Sequence, residues 1–259
     1  MFIVLILVSA MSGYIAKAQD DKLDSLDFNL ENPPEAKKPP YFAIAGGYTG
    51  TLLWVNFDDV NAHFGKNFGL DDMKAPMYMS GAQGFTAIGI IPNVRLGFFG
   101  MGGSKLKEAT MYMNSDTVKR SLNYSVSFNG ISIDWAYIPW KSVAIIPGIS
   151  FGWGNMIIEN YQAQTSGYSW NNIKPSGDTI NYLNRAETTY SFLQPNINVE
   201  FAVTPFFALR LNAGYATTFS LFGSSWKYNV NAALNNVPPK ITASGMTLQF
   251  GIFLGLFNY

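Results

Sequence analysis

From Phe207 the chain reads Phe-Ala-Leu-Arg-Leu-Asn-Ala-Gly-Tyr-Ala-Thr-Thr-Phe, which puts Phe207, Leu209, Leu211, Ala213, Tyr215 and Phe219 on one face. The opposite face holds Ala208, Arg210, Asn212, Gly214, Ala216 and Thr218. A side-chain period of two is that of a β-strand. The pattern recurs where Leu193, Pro195, Ile197, Val199, Phe201 and Val203 oppose Gln194, Asn196, Asn198, Glu200 and Ala202. It recurs again from Val143 to Trp153 and from Phe42 to Trp54. The second face decides the fold. In a soluble sandwich that face meets water and is rich in Lys, Glu and Arg. Here it is Gly, Ala, Ser, Thr, Asn and Gln with an occasional ion, and only 13% of the chain is charged. Small side chains fit the inside of a narrow closed barrel, so the bulky face turns outward to lipid. Helices and closed barrels alone satisfy every backbone group in hydrocarbon. No stretch reaches the roughly 18 to 20 uninterrupted apolar residues of a spanning helix.

Charge and residue usage exclude several functions. Seventeen basic and seventeen acidic residues balance, so no long-range field gathers nucleic acid. With no cysteine there is no disulfide, thiolate catalysis or cysteine-ligated zinc, and His63 is the single histidine. No metal, no cofactor and no catalytic residue is therefore expected.

The N-terminus is organised differently. Phe2 to Val8 is apolar throughout, and Ala16-Lys17-Ala18 fits the small-x-small rule of signal peptidase, so residues 1–18 are read as a signal peptide. No Lys or Arg precedes that run, a departure from the usual positive start. Residues 19–40 carry Asp20, Asp21, Asp24, Asp27, Glu31 and Glu35 and close on Pro33-Pro34 and Pro39-Pro40. This composition reads as a disordered periplasmic segment. The barrel is expected over 41–259.

Eight strands are predicted, at about 41–55, 78–91, 94–110, 118–138, 143–162, 187–203, 207–222 and 243–259. The fold class is thus all-β, an eight-stranded antiparallel transmembrane β-barrel in an up-and-down meander. Ile91-Pro92-Asn93, Ile138-Pro139-Trp140 with Lys141-Ser142, and Thr204-Pro205-Phe206 are short proline turns. Longer loops fall at about 56–77, 111–117, 163–186 and 223–242. That alternation is the one required when both termini are periplasmic. Phe42 to Trp54, like Phe207 to Phe219, spans twelve residues, roughly 28 Å of height at the tilt of a barrel strand. Trp54, Trp153, Phe219 and Tyr190 are expected in the outer aromatic girdle, and Tyr137, Trp140, Phe206, Phe207 and Phe257 in the periplasmic one.

On this architecture, and on a last strand running from Gly245 to the terminal Tyr259, the chain resembles the small eight-stranded bacterial outer-membrane barrels. That class includes the transmembrane domain of OmpA and the OmpX and OmpW proteins. The resemblance implies a bacterial outer-membrane location, contact with outer-membrane lipid, and recognition of the C-terminal strand by the barrel-assembly machinery. It carries no catalytic motif across.

Several residues stand apart. Pro147 and Pro195 fall inside strands and are expected at rims or bulges. Leu122, Tyr124, Val126 and Phe128 share a face that Ile131, Ile133, Trp135 and Tyr137 take up an odd step later, which makes Asn129-Gly130 a candidate bulge. The glycine-rich stretch Gly81 to Gly103 alternates poorly. Arg95, Asp134, Glu200 and Arg210 are the ions on lumenal faces, and a turn centred on Pro205 sets Glu200 opposite Arg210. In the loops, Phe57, Val60 and Phe64 predict a short amphipathic helix after Asn56. Tyr168, Trp170 and Asn171, with Trp226 and Tyr228, are aromatic and amide residues suited to an extracellular ligand or to the interface. The expected function is a non-enzymatic structural or surface-interaction barrel, or a narrow conduit for small or hydrophobic molecules. The alternative is a lipid acyl hydrolase or acyltransferase, for which His63 is the single imidazole.

Overall fold

A computed structural model describes residues 41–113, 116–165, 181–221, 225–229 and 231–258. The expected leader, 1–18, and the segment 19–40 lie outside the described residues. Eight long strands form the body: β1 (Phe42–Val55), β2 (Met77–Ala87), β3 (Val94–Met113), β4 (Asp116–Trp135), β5 (Val143–Gln164), β6 (Tyr182–Thr204), β7 (Phe207–Phe219) and β8 (Gly245–Asn258). Each pairs antiparallel with the next, and β8 returns to β1 from Phe42↔Asn258 to Val55↔Gly245. The sheet is a closed eight-stranded meander. Closure removes the unpaired edge that an open sheet would present.

The short connections form the lower end of the barrel, beside Phe42 and Asn258. Asn93 and Ser142 adopt positive φ there, at 63° and 73°. The glycine-rich hairpin runs in register from Ser80↔Gly102 to Ala87↔Arg95. At the upper end the strands are unequal. β1, β2, β7 and β8 have 11 to 14 residues, whereas β3 to β6 have 20 to 23. The predicted loop over 111–117 is mostly strand, because β3 and β4 stay paired out to Met113↔Asp116. Four neighbouring strands thus rise as a wall on the order of 15–20 Å above the others.

The phase slip in β4 is not a bulge. Asn129 pairs with Gly100 and Trp153, Gly130 with Phe99 and Gly152, and both ladders continue unbroken on either side. What reverses is the surroundings. Below Gly130, Ile133 and Trp135 are exposed while Ser132 and Asp134 are buried. Above it, Leu122, Tyr124, Val126 and Phe128 are buried, and the alternation turns Asn123, Ser125 and Asn129 outward. Along β4 the lower part is thus greasy outside and polar within, and the part above Gly130 has the opposite sidedness. Gly130 remains glycine because a Cβ there would lie 2.3 Å from Phe151 O and 3.1 Å from the Phe192 ring.

Pro147 pairs with Ile197 near the lower end of β5. Pro195, expected at a rim or bulge, lies in the middle of β6. The β6–β7 ladder omits Gln194 and Pro195, while the register is the same at Leu193↔Thr217 and Asn196↔Gly214. A residue without an N–H is accommodated by a gap in the ladder rather than by an extra residue.

Candidate functional site

The interior is stacked in layers. At the bottom Tyr41, Phe85, Phe253 and Phe257 pack with Ala43, Ala45 and Ile146. Phe257, expected in the lower girdle, is instead 7% exposed and points inward, because odd positions of β8 face the axis while Leu254 and Leu256 face out. Tyr190, placed by sequence in the outer girdle, is likewise turned inward by the even-inward phase of β6. Trp54, Tyr137, Trp140, Trp153 and Phe219 are exposed, Phe206 is exposed at the lower turn, and Phe207 is half-buried.

Above the plug sit the four lumenal ions. Arg95 stands opposite Asp134, and Glu200 opposite Arg210, each by direct strand register. Arg95 Nη1 donates to Glu200 Oε2 at 3.2 Å and Nη2 to Asp134 Oδ2 at 3.3 Å. Arg210 Nε donates to the same Glu200 Oε2 at 2.8 Å, and its Nη2 does so as well. Glu200 therefore bridges both guanidiniums, and the cluster is neutral and buried. Arg95 also donates to the Tyr41 hydroxyl at 3.2 Å. Both guanidinium carbons lie over the Phe85 ring, at 4.3 and 4.2 Å, and Arg210 lies 4.1 Å from the centroid of Phe253. These cation–π contacts join the ions to the plug.

An amide layer follows. Asn212 Nδ2 donates to Asn198 Oδ1 at 2.8 Å and to Asn196 Oδ1 at 3.1 Å. Gln194 reaches Thr247 at 2.9 Å, and Gln249 reaches Thr51 at 3.1 Å. The cavity among these groups holds about 20 Å³, room for one water and no larger solute. Side chains occupy the axis at this height, as expected of an eight-stranded barrel.

The upper third is an apolar core capped by loops. Residues 58–68 form consecutive short helical turns, starting at Asp58–Val60. Phe57, Val60, Leu70 and Met73 from this loop are buried against Tyr124, Leu122 and Met79. Phe57 meets Tyr124 edge to face at 5.1 Å. Asn61 grips Met73 through both backbone groups, at 2.8 and 3.0 Å. Arg120 donates to Phe68 O at 3.0 Å and Lys105 to Pro76 O at 2.8 Å. The loop after β7 adds a short hairpin, Lys227–Tyr228 and Ala232–Ala233, whose first arm pairs with Glu187 and Ala186 of β6. Tyr124 donates to Thr242 O of that loop at 3.1 Å.

Between the two loops and the wall lies a cavity of about 390 Å³. Phe64 and Phe68 line one side, Ile158 and Ala186 the wall, and Trp226, Leu234, Val237, Pro238 and Ile241 the other side. His63, Asn184, Tyr228, Asn235 and Asn236 are also among its lining, and none of the described lining residues is Asp, Glu, Lys or Arg. The Tyr228 hydroxyl donates to Asn184 Oδ1. The size and apolar lining fall in the range of small-molecule pockets. Trp226 and Tyr228, singled out from the sequence, both belong to it. Tyr168, Trp170 and Asn171 lie outside the described residues. Phe68, Ala186 and the Leu234 to Ile241 stretch were missed. For those in the two loops the signal was a cluster of apolar residues in a connection that has no strand phase, whereas Ala186 lies on β6.

His63 is exposed and packs edge to face on Phe64 at 4.7 Å. Its ring makes no hydrogen bond among the described residues. No group of three potential metal ligands, and no helix long and apolar enough to cross a membrane, is found among them either.

No protein-family model matches the chain, and no curated protein matches it. Solved structures of other proteins align with it over most of their length. A major outer membrane protein of Thermus thermophilus aligns at 8% identity and a TM-score of 0.44, covering 83% of this chain and 99% of that one. Ail, the attachment invasion locus protein of Yersinia pestis, aligns at 9% identity and a TM-score of 0.35, covering 84% and 98%. The outer membrane protease OmpT of Escherichia coli aligns at 8% identity and a TM-score of 0.28, covering 85% and 95%.

Proposed function

We propose that the protein is an integral barrel of the bacterial outer membrane which binds an apolar ligand at its cell-surface end and passes no solute along its axis. The exposed belt of Ile44, Phe98, Ile197, Leu211, Phe250 and Leu254 on a closed sheet is what a bilayer requires and water penalises. The C-terminal strand β8 is the segment offered to the barrel-assembly machinery. With the lumen packed by the ion and amide layers, activity moves to the capped upper end. The single observation that carries this reading is the largely apolar cavity of about 390 Å³, with no Asp, Glu, Lys or Arg among its described lining residues, between two loops and the wall above a filled barrel.

The role proposed is non-enzymatic. His63 borders the cavity, and we assign it a place at the rim rather than a catalytic part. His63→Ala is expected to leave the acylation pattern of membrane lipids unchanged.

Heat-modifiable gel migration and planar-bilayer recording test the proposal together. The account expects a migration shift on boiling, as for an intact barrel, and no steady open-channel current. A soluble, unshifted protein, or a long-lived conductance, would contradict it.

A further inference from the structure

The apolar belt has a shallow notch on one side. Toward its upper edge the outward residues are bulky over most of the barrel, where Phe151, Leu193, Tyr215 and Leu248 are all exposed. On β2 to β4 the outward positions are instead Ser80, Ala82, Gly100, Gly102 and Asn129. Register sets them side by side, Ala82 against Gly100, Gly100 against Asn129 and Ser80 against Gly102. Met79, Met101 and Phe128, which alternate with them, are buried on the inside. Tyr48 and Tyr78 border the notch on one flank, and Trp153, the partner of Asn129 on β5, on the other. Phe98 and Ile131, paired one outward step below Gly100 and Asn129, form its lower edge. At three strands it is roughly 15 Å wide.

The notch is polar without being charged. The Asn129 amide lies across Gly100, where a Cβ would come 3.0 Å from its Oδ1. Neither the Asn129 side chain nor the Ser80 hydroxyl has a hydrogen-bond partner among the described residues. On the other flank the Tyr48 and Tyr78 hydroxyls bond each other at 2.9 Å, with the Tyr78 ring laid over Gly50. That pair consumes one O–H and leaves the second to donate outward. Asn and Ser facing hydrocarbon are costly unless a polar group meets them. A plain acyl chain offers none, and an ester linkage offers acceptors alone. The notch presents donors and acceptors together, so its complement carries an N–H or O–H beside a carbonyl.

We infer that the notch seats an outer-leaflet lipid whose acyl chain is amide-linked and hydroxylated close to the carbonyl. The amide and hydroxyl of such a chain meet Asn129, Ser80 and the tyrosine pair at the depth where the head group ends. The glycines let the chain lie close against the strand backbones, and its alkyl tail continues down over Phe98 and Ile131. The inference rests on the outer-membrane reading above and is independent of the cap cavity.

The test uses the full chain with Trp153 as its only tryptophan, in phosphatidylcholine vesicles that contain one of two synthetic glycolipids brominated on an acyl chain. The two share sugar and chain length; one has amide-linked β-hydroxyacyl chains and the other plain ester-linked chains. Bromine quenches indole on contact. Trp153 is expected to be quenched at a roughly three- to tenfold lower mole fraction of the amide lipid, the size of one or two hydrogen bonds made in hydrocarbon. Asn129→Leu and Gly102→Leu should each abolish that preference. Gly102 accepts a side chain, since a Cβ there meets nothing nearer than 3.4 Å. With Tyr215→Trp as the sole reporter, on the far side of the barrel, the two lipids should quench alike. Folding of each variant is checked by heat-modifiable migration. Equal quenching of Trp153 by both lipids, a preference that survives either substitution, or the same preference at position 215 overturns the inference. Trp153 shielded from both lipids while position 215 is quenched means that a protein covers this face, and overturns it too. Failure of both lipids at both positions contradicts the outer-membrane reading itself.

Discussion

Glu200 stands opposite Arg210 across the β6–β7 hairpin, and one carboxylate oxygen of Glu200 accepts from two nitrogens of that guanidinium while also bonding Arg95. Three charges thus depend on one buried atom. Taking away one partner of such a buried set costs far more than the set contributes when whole, because the remaining charges stay desolvated.

Glu200→Gln keeps the shape and removes the charge, leaving two arginines against Asp134 alone. We expect a loss of about 3–5 kcal/mol in urea unfolding from micelles or vesicles. Lys119→Gln breaks the exposed Lys119–Glu108 pair, 2.8 Å long on the upper wall, and should leave the midpoint unchanged.

Gly154 gives way to the Tyr190 ring: a Cβ there would lie 2.0 Å from Ser127 O and 2.6 Å from that ring. Gly154→Ala is expected to destabilise by about 1–3 kcal/mol through overpacking. Tyr190→Phe, which loses one hydrogen bond and no packing, should cost about 1 kcal/mol. The same unfolding assay ranks the two, and the order should be glycine first.

Asn61 holds the first upper loop closed by bonding both the N–H and C=O of Met73. Asn61→Ala should loosen the loop locally, by about 1–3 kcal/mol for the two buried groups left unpaired. Limited proteolysis from outside intact vesicles should cut between residues 56 and 76 faster than in the parent, with the heat-modifiable barrel retained.

The lower barrel was readable because its rules are local. Alternation names the two faces of β1, β6, β7 and β8 without knowledge of any neighbour, and the turn at Pro205 sets Glu200 against Arg210 by counting alone. β4 was harder. A change of phase at Asn129-Gly130 arises equally from an extra residue or from a change of surroundings along a regular strand, and only the pairing with β3 and β5 separates them. The surroundings do change there, since four strands continue above the apolar belt and fold the loops against their inner face. Phe257 misled for a related reason: an aromatic near the chain end has the look of a girdle residue, and the phase of β8 turns it inward. The cap cavity was out of reach because Phe64, Ala186, Trp226 and Ile241 come from three distant segments with no shared period.

Sidedness is the claim on which everything else stands, and a cysteine scan of β4 tests it directly because the chain has no cysteine of its own. Nitroxides at 121 to 135 in vesicles report contact with lipid-dissolved oxygen or with a water-soluble nickel chelate. We expect positions 131, 133 and 135 to meet oxygen, 123, 125 and 127 to meet the chelate, and 122, 124, 126, 132 and 134 to meet neither. Oxygen contact at 122, 124 and 126, with 123 and 125 silent, would mean that the greasy face looks outward along the whole strand, and would contradict both the reversal and the capped upper core.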